Sequence, residues 1–104
     1  MSQHHFPAQS SVLGKVAVLV GFSPRCHGHF TRVIVNDEPH HSADDLPDAD
    51  AVRADLQTVG VNVPPSVLDA ITKDQIDFCN GVAHVGRRLF EYNPLGRLVH
   101  QGSW

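Results

Sequence analysis

Hydrophobic and polar positions follow a β pattern in the first third of the chain. In residues 15–22 (KVAVLVGF), three valines and a phenylalanine fall on one face, while Ala17, Leu19 and Gly21 fall on the other. Because both faces are apolar, the pattern predicts a central strand that is covered on both sides. Residues 30–35 (FTRVIV) predict a second strand, and the seven residues between the two predict a long hairpin loop.

The middle of the chain has helical spacing instead. Apolar residues recur every three or four positions from Asp48, which can cap a helix, to Val59. Gly60 follows, where a glycine often ends a helix. Pro65 suits the first position of a second helical region, and residues 72–75 (TKDQ) match a capping box. This box favours a break between two short helices over one bent helix.

The order of elements predicts the fold class. Residues 82–92 and 97–100 predict two further strands, joined by a turn that contains proline and glycine. We therefore expect an α+β fold, β-β-α-α-β-β, in which two β-hairpins flank a central pair of short helices. The helices would pack on one face of an antiparallel sheet. Residues 1–13 predict a flexible N-terminal arm, residues 37–47 a polar connection, and residues 14–104 a single domain.

Composition limits the class of molecule. The 104 residues are 41% hydrophobic and 18% charged, which is typical of a globular domain and not of a disordered polyelectrolyte or a membrane protein. No segment has the pattern of a secretory signal or a membrane span, and Cys26 and Cys79 are too few for a disulfide framework. We expect a soluble, cytoplasmic protein with reduced thiols and no membrane association.

The charge is separated along the chain. Residues 36–78 carry ten acids against two bases, a balance of −8, whereas residues 1–35 carry +3 and residues 79–104 carry +2. The net charge of −3 hides this separation, which can steer a protein partner or favour self-association. The predicted contact residues are the acids Asp44, Asp45, Asp48 and Asp50, and opposite to them Arg87, Arg88, Phe90 and Tyr92.

Cysteine and histidine are concentrated in one predicted loop, residues 26–29 (CHGH). Thiolates and imidazoles are good ligands for zinc and copper, which makes a metal-binding protein one alternative. The sequence lacks a second ligand pair at zinc-finger spacing, and the histidines can equally be solvated loop residues. A catalytic pair of Cys26 with His29 would also need a third, orienting group. The candidate metal ligands are Cys26, His27, His29, Cys79 and His84.

Arginines in the last third favour a different alternative, a nucleic-acid-binding accessory protein. Arg87, Arg88 and Arg97 could hold phosphates, but few cations are present and no aromatic platform is interleaved with them. The same arginines can protect a strand edge from pairing with other chains.

A short segment of this region resembles a known repeat. Residues 89–98 (LFEYNPLGRL) resemble the YD repeat of Rhs-type wall and toxin-shell proteins, over about a tenth of the chain. That family carries many tandem copies and an aspartate where Asn93 stands here. One copy cannot build such a shell, so the resemblance implies a hairpin and no function is transferred.

No complete catalytic set, phosphate-binding loop or dinucleotide fingerprint is present in the sequence. An enzyme is therefore disfavoured, and no cofactor is expected unless zinc binds in the metal alternative. The sequence predicts a small non-enzymatic protein-binding or regulatory module that acts through surface contacts, with homodimerisation by sheet edges or exposed apolar residues as one route.

Overall fold

The computed structural model describes residues 2–23, 28–81 and 88–103, and the described residues form six strands and two helices. The elements are β1 (Ser2–Ser10), β2 (Gly14–Ser23), β3 (Gly28–Val35), β4 (Glu38–Leu46), α1 (Ala49–Gln57), α2 (Pro65–Cys79), β5 (Arg88–Tyr92) and β6 (Leu98–Ser103). The predicted α+β class is confirmed, but four strands precede the helices where the sequence predicted two.

All six strands belong to one sheet, in the order β4-β3-β2-β1-β5-β6. β1 runs antiparallel to β2 and parallel to β5, and the other neighbours are antiparallel. Both helices pack on the same face, where Val18, Val20 and Val33 of the sheet meet Leu56 of α1 and Ile71 of α2. The core therefore lies between one face of the sheet and the two helices.

The predicted N-terminal arm is wrong for residues 2–10, which form a strand near the middle of the sheet. Ser2, His4, Phe6 and Ser10 point toward the helices and are at most 4% exposed. Three of these four side chains are polar, so the segment lacks the apolar alternation by which a strand is normally recognised. Tertiary hydrogen bonds satisfy the polar side chains.

The predicted polar connection over residues 37–47 is also wrong. Glu38–Leu46 pairs with β3 as an edge strand, through a two-residue turn at Asn36 and Asp37. Both turn residues have positive φ, of 50° and 64°, which Asn and Asp tolerate better than most residues and which hairpin turns often require. Exposed charged residues are common on edge strands because they discourage pairing with other chains.

The helices confirm one prediction and correct another. The Asp48 side chain accepts a hydrogen bond from the Ala51 backbone N–H at 2.8 Å and caps α1, and Gly60 adopts a φ of +72° just beyond this helix. The predicted break at Thr72 is wrong, since α2 continues from Pro65 to Cys79. Thr72 donates its hydroxyl to the Leu68 carbonyl one turn back, at 2.8 Å, and does not cap a new helix.

The predicted C-terminal hairpin is confirmed as β5 and β6. The first part of the predicted strand, residues 82–87, lies outside the described residues. Within the described ranges, neither helix is long and apolar enough to cross a membrane.

Candidate functional site

One face of the sheet is covered by the helices, and the other has no described element over it. We call the second face the open face. On β2 it presents Ala17, which is exposed, and Leu19, which is half-buried. The valines that alternate with them are buried under the helices. Pro7 of β1 and Ile34 of β3 flank Ala17 in the same register. The apolar second face that the sequence predicts for β2 is therefore present but uncovered in the described part of the chain.

The apolar residues of the open face surround a shallow hollow of about 250 Å³. Its side chains include Pro7, Ala17, Leu19 and Ile34 from the strands near the centre and Val99 from β6. Val99 is 63% exposed, which is high for a large apolar side chain. A contiguous apolar patch with polar residues at its rim is the ordinary form of a protein-binding surface.

A polar row crosses the open face beside this hollow. The strand register places Leu19 between Arg32 and His5, and Glu91 between His5 and His100. Burial lowers the pKa of His5, and the neighbouring charge of His4 lowers it further, whereas Glu91 opposes both effects. The row is thus basic at β3 and acidic at β5.

Two of the four predicted contact acids lie at the rim of the open face. Asp44 and Asp45 are exposed and line a second hollow of about 250 Å³, where Asp44 accepts a hydrogen bond from Arg32 at 2.9 Å. The other two acids make contacts within α1. Asp48 caps the helix, and the Asp50 carboxylate lies 3.3 Å from the Arg53 guanidinium one turn later.

The other predicted contact residues point toward the helices. Arg88 donates a hydrogen bond to Asp74 of α2, and the Phe90 ring stacks on the His4 ring with centroids 4.7 Å apart. Tyr92 is only 8% exposed. These side chains belong to the packed face of β5 and are not presented on the open face. Arg87 lies outside the described residues.

Asp74 of α2 is the centre of a buried polar cluster that the sequence did not predict. Its Oδ2 accepts hydrogen bonds from the Ser2 hydroxyl and from Nε2 of His4 at 2.8 Å, and its Oδ1 accepts from Arg88 at 3.1 Å. Nδ1 of His4 lies 2.8 Å from the Tyr92 hydroxyl. We call these five residues the Asp74 cluster. It joins the N-terminal strand to α2 and β5.

The Asp74 cluster has the residue types of an acid–base site but not the access that one needs. A general base must reach the proton that it abstracts. Both ring nitrogens of His4 already have partners within the cluster, and the residue is 1% exposed. The arrangement therefore favours a structural role, in which buried polar groups fix the position of β1.

Charge and burial shift two pKa values in the cluster. Burial raises the pKa of Asp74, but hydrogen bonds from His4 and Ser2, together with the positive charges of His4 and Arg88, outweigh it and lower the pKa overall. Burial and the nearby carboxylate of Asp74 raise the pKa of Tyr92 to about 12. The folded protein thus favours an ionised Asp74 beside a neutral Tyr92.

The Tyr92 shift predicts a loss of stability in alkali. In the unfolded chain tyrosine ionises near pH 10, so the stability that depends on neutral Tyr92 is complete below that pH and is lost as the pH rises toward about 12. At neutral pH, Tyr92→Phe should lower the free energy of unfolding by about 1 kcal/mol, because the substitution removes the hydroxyl and leaves the buried Nδ1 of His4 without its partner. Above about pH 10, urea unfolding should show this difference shrinking. A difference that stays constant with pH would contradict the prediction.

The described residues contain no group of three or more His, Cys, Asp or Glu side chains that could hold a metal ion. His29 is buried against the helices, with Nε2 3.1 Å from the Ile71 carbonyl oxygen and Nδ1 without a partner. Cys79 is exposed at the end of α2. The metal-binding alternative stays a prediction, because the other three candidate ligands lie outside the described residues: Cys26, His27 and His84.

Comparison with known proteins identifies no relative of this chain. The chain matches no protein-family model, no curated protein and no solved structure.

Proposed function

We propose that this protein is a non-enzymatic protein-binding module that forms a homodimer through its open face. The observation that carries the proposal is the mismatch at β2, whose sequence is apolar on both faces while the helices cover only one. A central strand of this kind is normally buried on both sides. A second copy packed on the open face would bury Ala17 and Leu19.

The open face is close in size to one side of a standard protein interface. Six strands about 4.8 Å apart, with a mean length of about eight residues at 3.3 Å each, cover about 750 Å². A standard protein interface buries about 800 Å² on each partner. Two sheets can pack face to face with their strands roughly aligned, as in β-sandwiches.

The polar row of the open face is complementary to itself. The midline of the sheet falls between β2 and β1, so a two-fold axis along it exchanges β3 with β5 of the other copy. Arg32 of each copy would then lie over Glu91 of the other, and Leu19 over His5. Opposite charges would meet twice in one symmetric interface, which is the condition for an isologous contact.

A charge exchange tests the homodimer. Arg32→Glu and Glu91→Arg should each weaken the dimer at least about tenfold, because each places like charges opposite each other twice. The double variant, which carries both changes, should recover most of the affinity. Sedimentation equilibrium at low and moderate salt measures the dissociation constant, and circular dichroism checks that each variant is folded.

Arg53→Glu is the matched control, since Arg53 is 52% exposed on α1, away from the open face. It should leave the dissociation constant unchanged. A wild-type protein that stays monomeric at millimolar concentration would overturn the proposal. So would a double variant that dimerises no better than the single ones.

A further inference from the structure

We propose that one edge of β1 binds an extended, acidic peptide segment of a partner as an additional strand. β1 pairs with β2 from His4 to Ser10, whereas its pairing with β5 ends at His5, opposite Glu91. Among the described residues, no strand pairs with the β5 side of residues 6–10. We call this stretch the free edge.

The course of the chain after β5 keeps the free edge open. β5 ends at Tyr92, and Asn93 begins a turn in which its backbone N–H donates to the Arg97 carbonyl at 2.8 Å. The Asn93 side-chain oxygen also accepts from the backbone N–H groups of Leu95 and Arg97, at 2.9 and 3.0 Å. These bonds fix the turn, so β5 does not continue beside β1.

A groove of about 690 Å³ lies beside the free edge. Phe6, Pro7 and Gln9 of the free edge line it, together with Pro64 before α2 and Pro94 in the turn after β5. Its volume falls within the range of specific ligand sites, roughly 300–1,000 Å³. The five residues of the free edge span about 16 Å, which matches an extended peptide of about five residues.

The backbone of the free edge determines which occupant fits. Proline has no N–H to donate, and in sheets it is placed where no neighbouring strand needs one. Pro7 therefore directs its nitrogen to the unpaired side of β1. Residues two apart face the same neighbour, so Gln9 offers its N–H and carbonyl oxygen to the groove, and Pro7 offers its carbonyl oxygen. An extended peptide can satisfy these groups by β-strand addition.

Charge selects among extended peptides. Of the described residues that line the groove, Lys15 alone carries a charge, and it is exposed opposite Gln9 in the register of β1 and β2. The small side chains of Pro7 and Ala17, which lie on the same face of the sheet as Lys15, leave room beside it. A carboxylate on the peptide would meet Lys15, whereas a basic side chain would be repelled.

Fluorescence anisotropy with three synthetic peptides tests the inference. The probe is a fluorescein-labelled hexapeptide of alternating threonine and valine with one central glutamate. The second peptide replaces the glutamate with lysine, and the third carries N-methyl groups on alternate backbone amides. We expect the glutamate peptide to bind at least about tenfold more tightly than either of the others. Lys15→Glu should reverse the preference between glutamate and lysine.

Two substitutions at one position separate backbone from side-chain recognition. Gln9→Pro removes the N–H that faces the groove and should weaken binding of the glutamate peptide about tenfold, whereas Gln9→Ala keeps the N–H and should bind normally. Arg32→Glu should bind the glutamate peptide at least as tightly as the wild type, because the dimer proposed above covers Pro7 and Ala17 at the groove and its loss cannot weaken the peptide site.

Several outcomes would overturn the peptide site. The first is the absence of binding by all three peptides, and the second is equal binding of the N-methylated and unmodified peptides. The third is concentration-dependent self-association that Gln9→Pro abolishes while no peptide binds, which would show that the edge accepts another copy of the chain.

Discussion

Deleting residues 2–10 should abolish folding. These residues form β1, which lies inside the sheet and joins β2 on one side to β5 on the other. Without β1, the hairpin of β5 and β6 has no strand to join, and the core loses Phe6. Small domains have a free energy of unfolding of only about 5–15 kcal/mol. We expect the stabilisation that is lost with a central strand to exceed this value. We expect a chain without dispersed amide resonances or a cooperative thermal transition.

Deleting residues 98–104 is the matched control. It removes β6, which is at the edge of the sheet and pairs only with β5 among the described strands. This shorter chain should remain folded, with a lower midpoint of thermal unfolding. If the protein without residues 2–10 unfolded at the wild-type midpoint, β1 would be the flexible arm that its sequence pattern suggests.

The elements with a strong hydrophobic pattern could be predicted from the sequence. The pairing of β2 with β3, the cap and course of α1, and the final hairpin all follow from local signals. β1 and β4 could not be found in this way. β1 buries Ser2 and His4 because Asp74 receives their hydrogen bonds, and β4 is an edge strand whose pattern is mostly polar.

The buried cluster shows why site residues are harder to predict. His4 and Asp74 are 70 positions apart, so no spacing rule relates them. One signal was present: Asp74 lies three residues after Ile71 and four before Phe78, on the same stripe of α2 as these apolar residues. A carboxylate on an apolar stripe needs a buried partner, but the sequence does not identify that partner.

Asp74→Ala should cost about 3 kcal/mol or more of stability, since removing one member of a buried ion pair leaves the others uncompensated. His4 and Arg88 would each lose their carboxylate partner inside the protein. Asp69→Ala, on the exposed side of the same helix, should change stability by no more than about 0.5 kcal/mol. Urea unfolding of the two variants at neutral pH makes the comparison.

The dependence of the free energy of unfolding on pH in the acid range provides the sharper test of Asp74. Its pKa is lower in the folded protein than in the unfolded chain, so its contribution is complete above about pH 4 and is lost as the pH falls through the folded pKa. The gap between wild type and Asp74→Ala should therefore narrow in acid. It should persist at high salt, because buried charges are screened much less than exposed ones. A gap that high salt removes at neutral pH would mean that Asp74 acts as a solvated surface charge, and would contradict the structural role of the Asp74 cluster in joining β1 to α2.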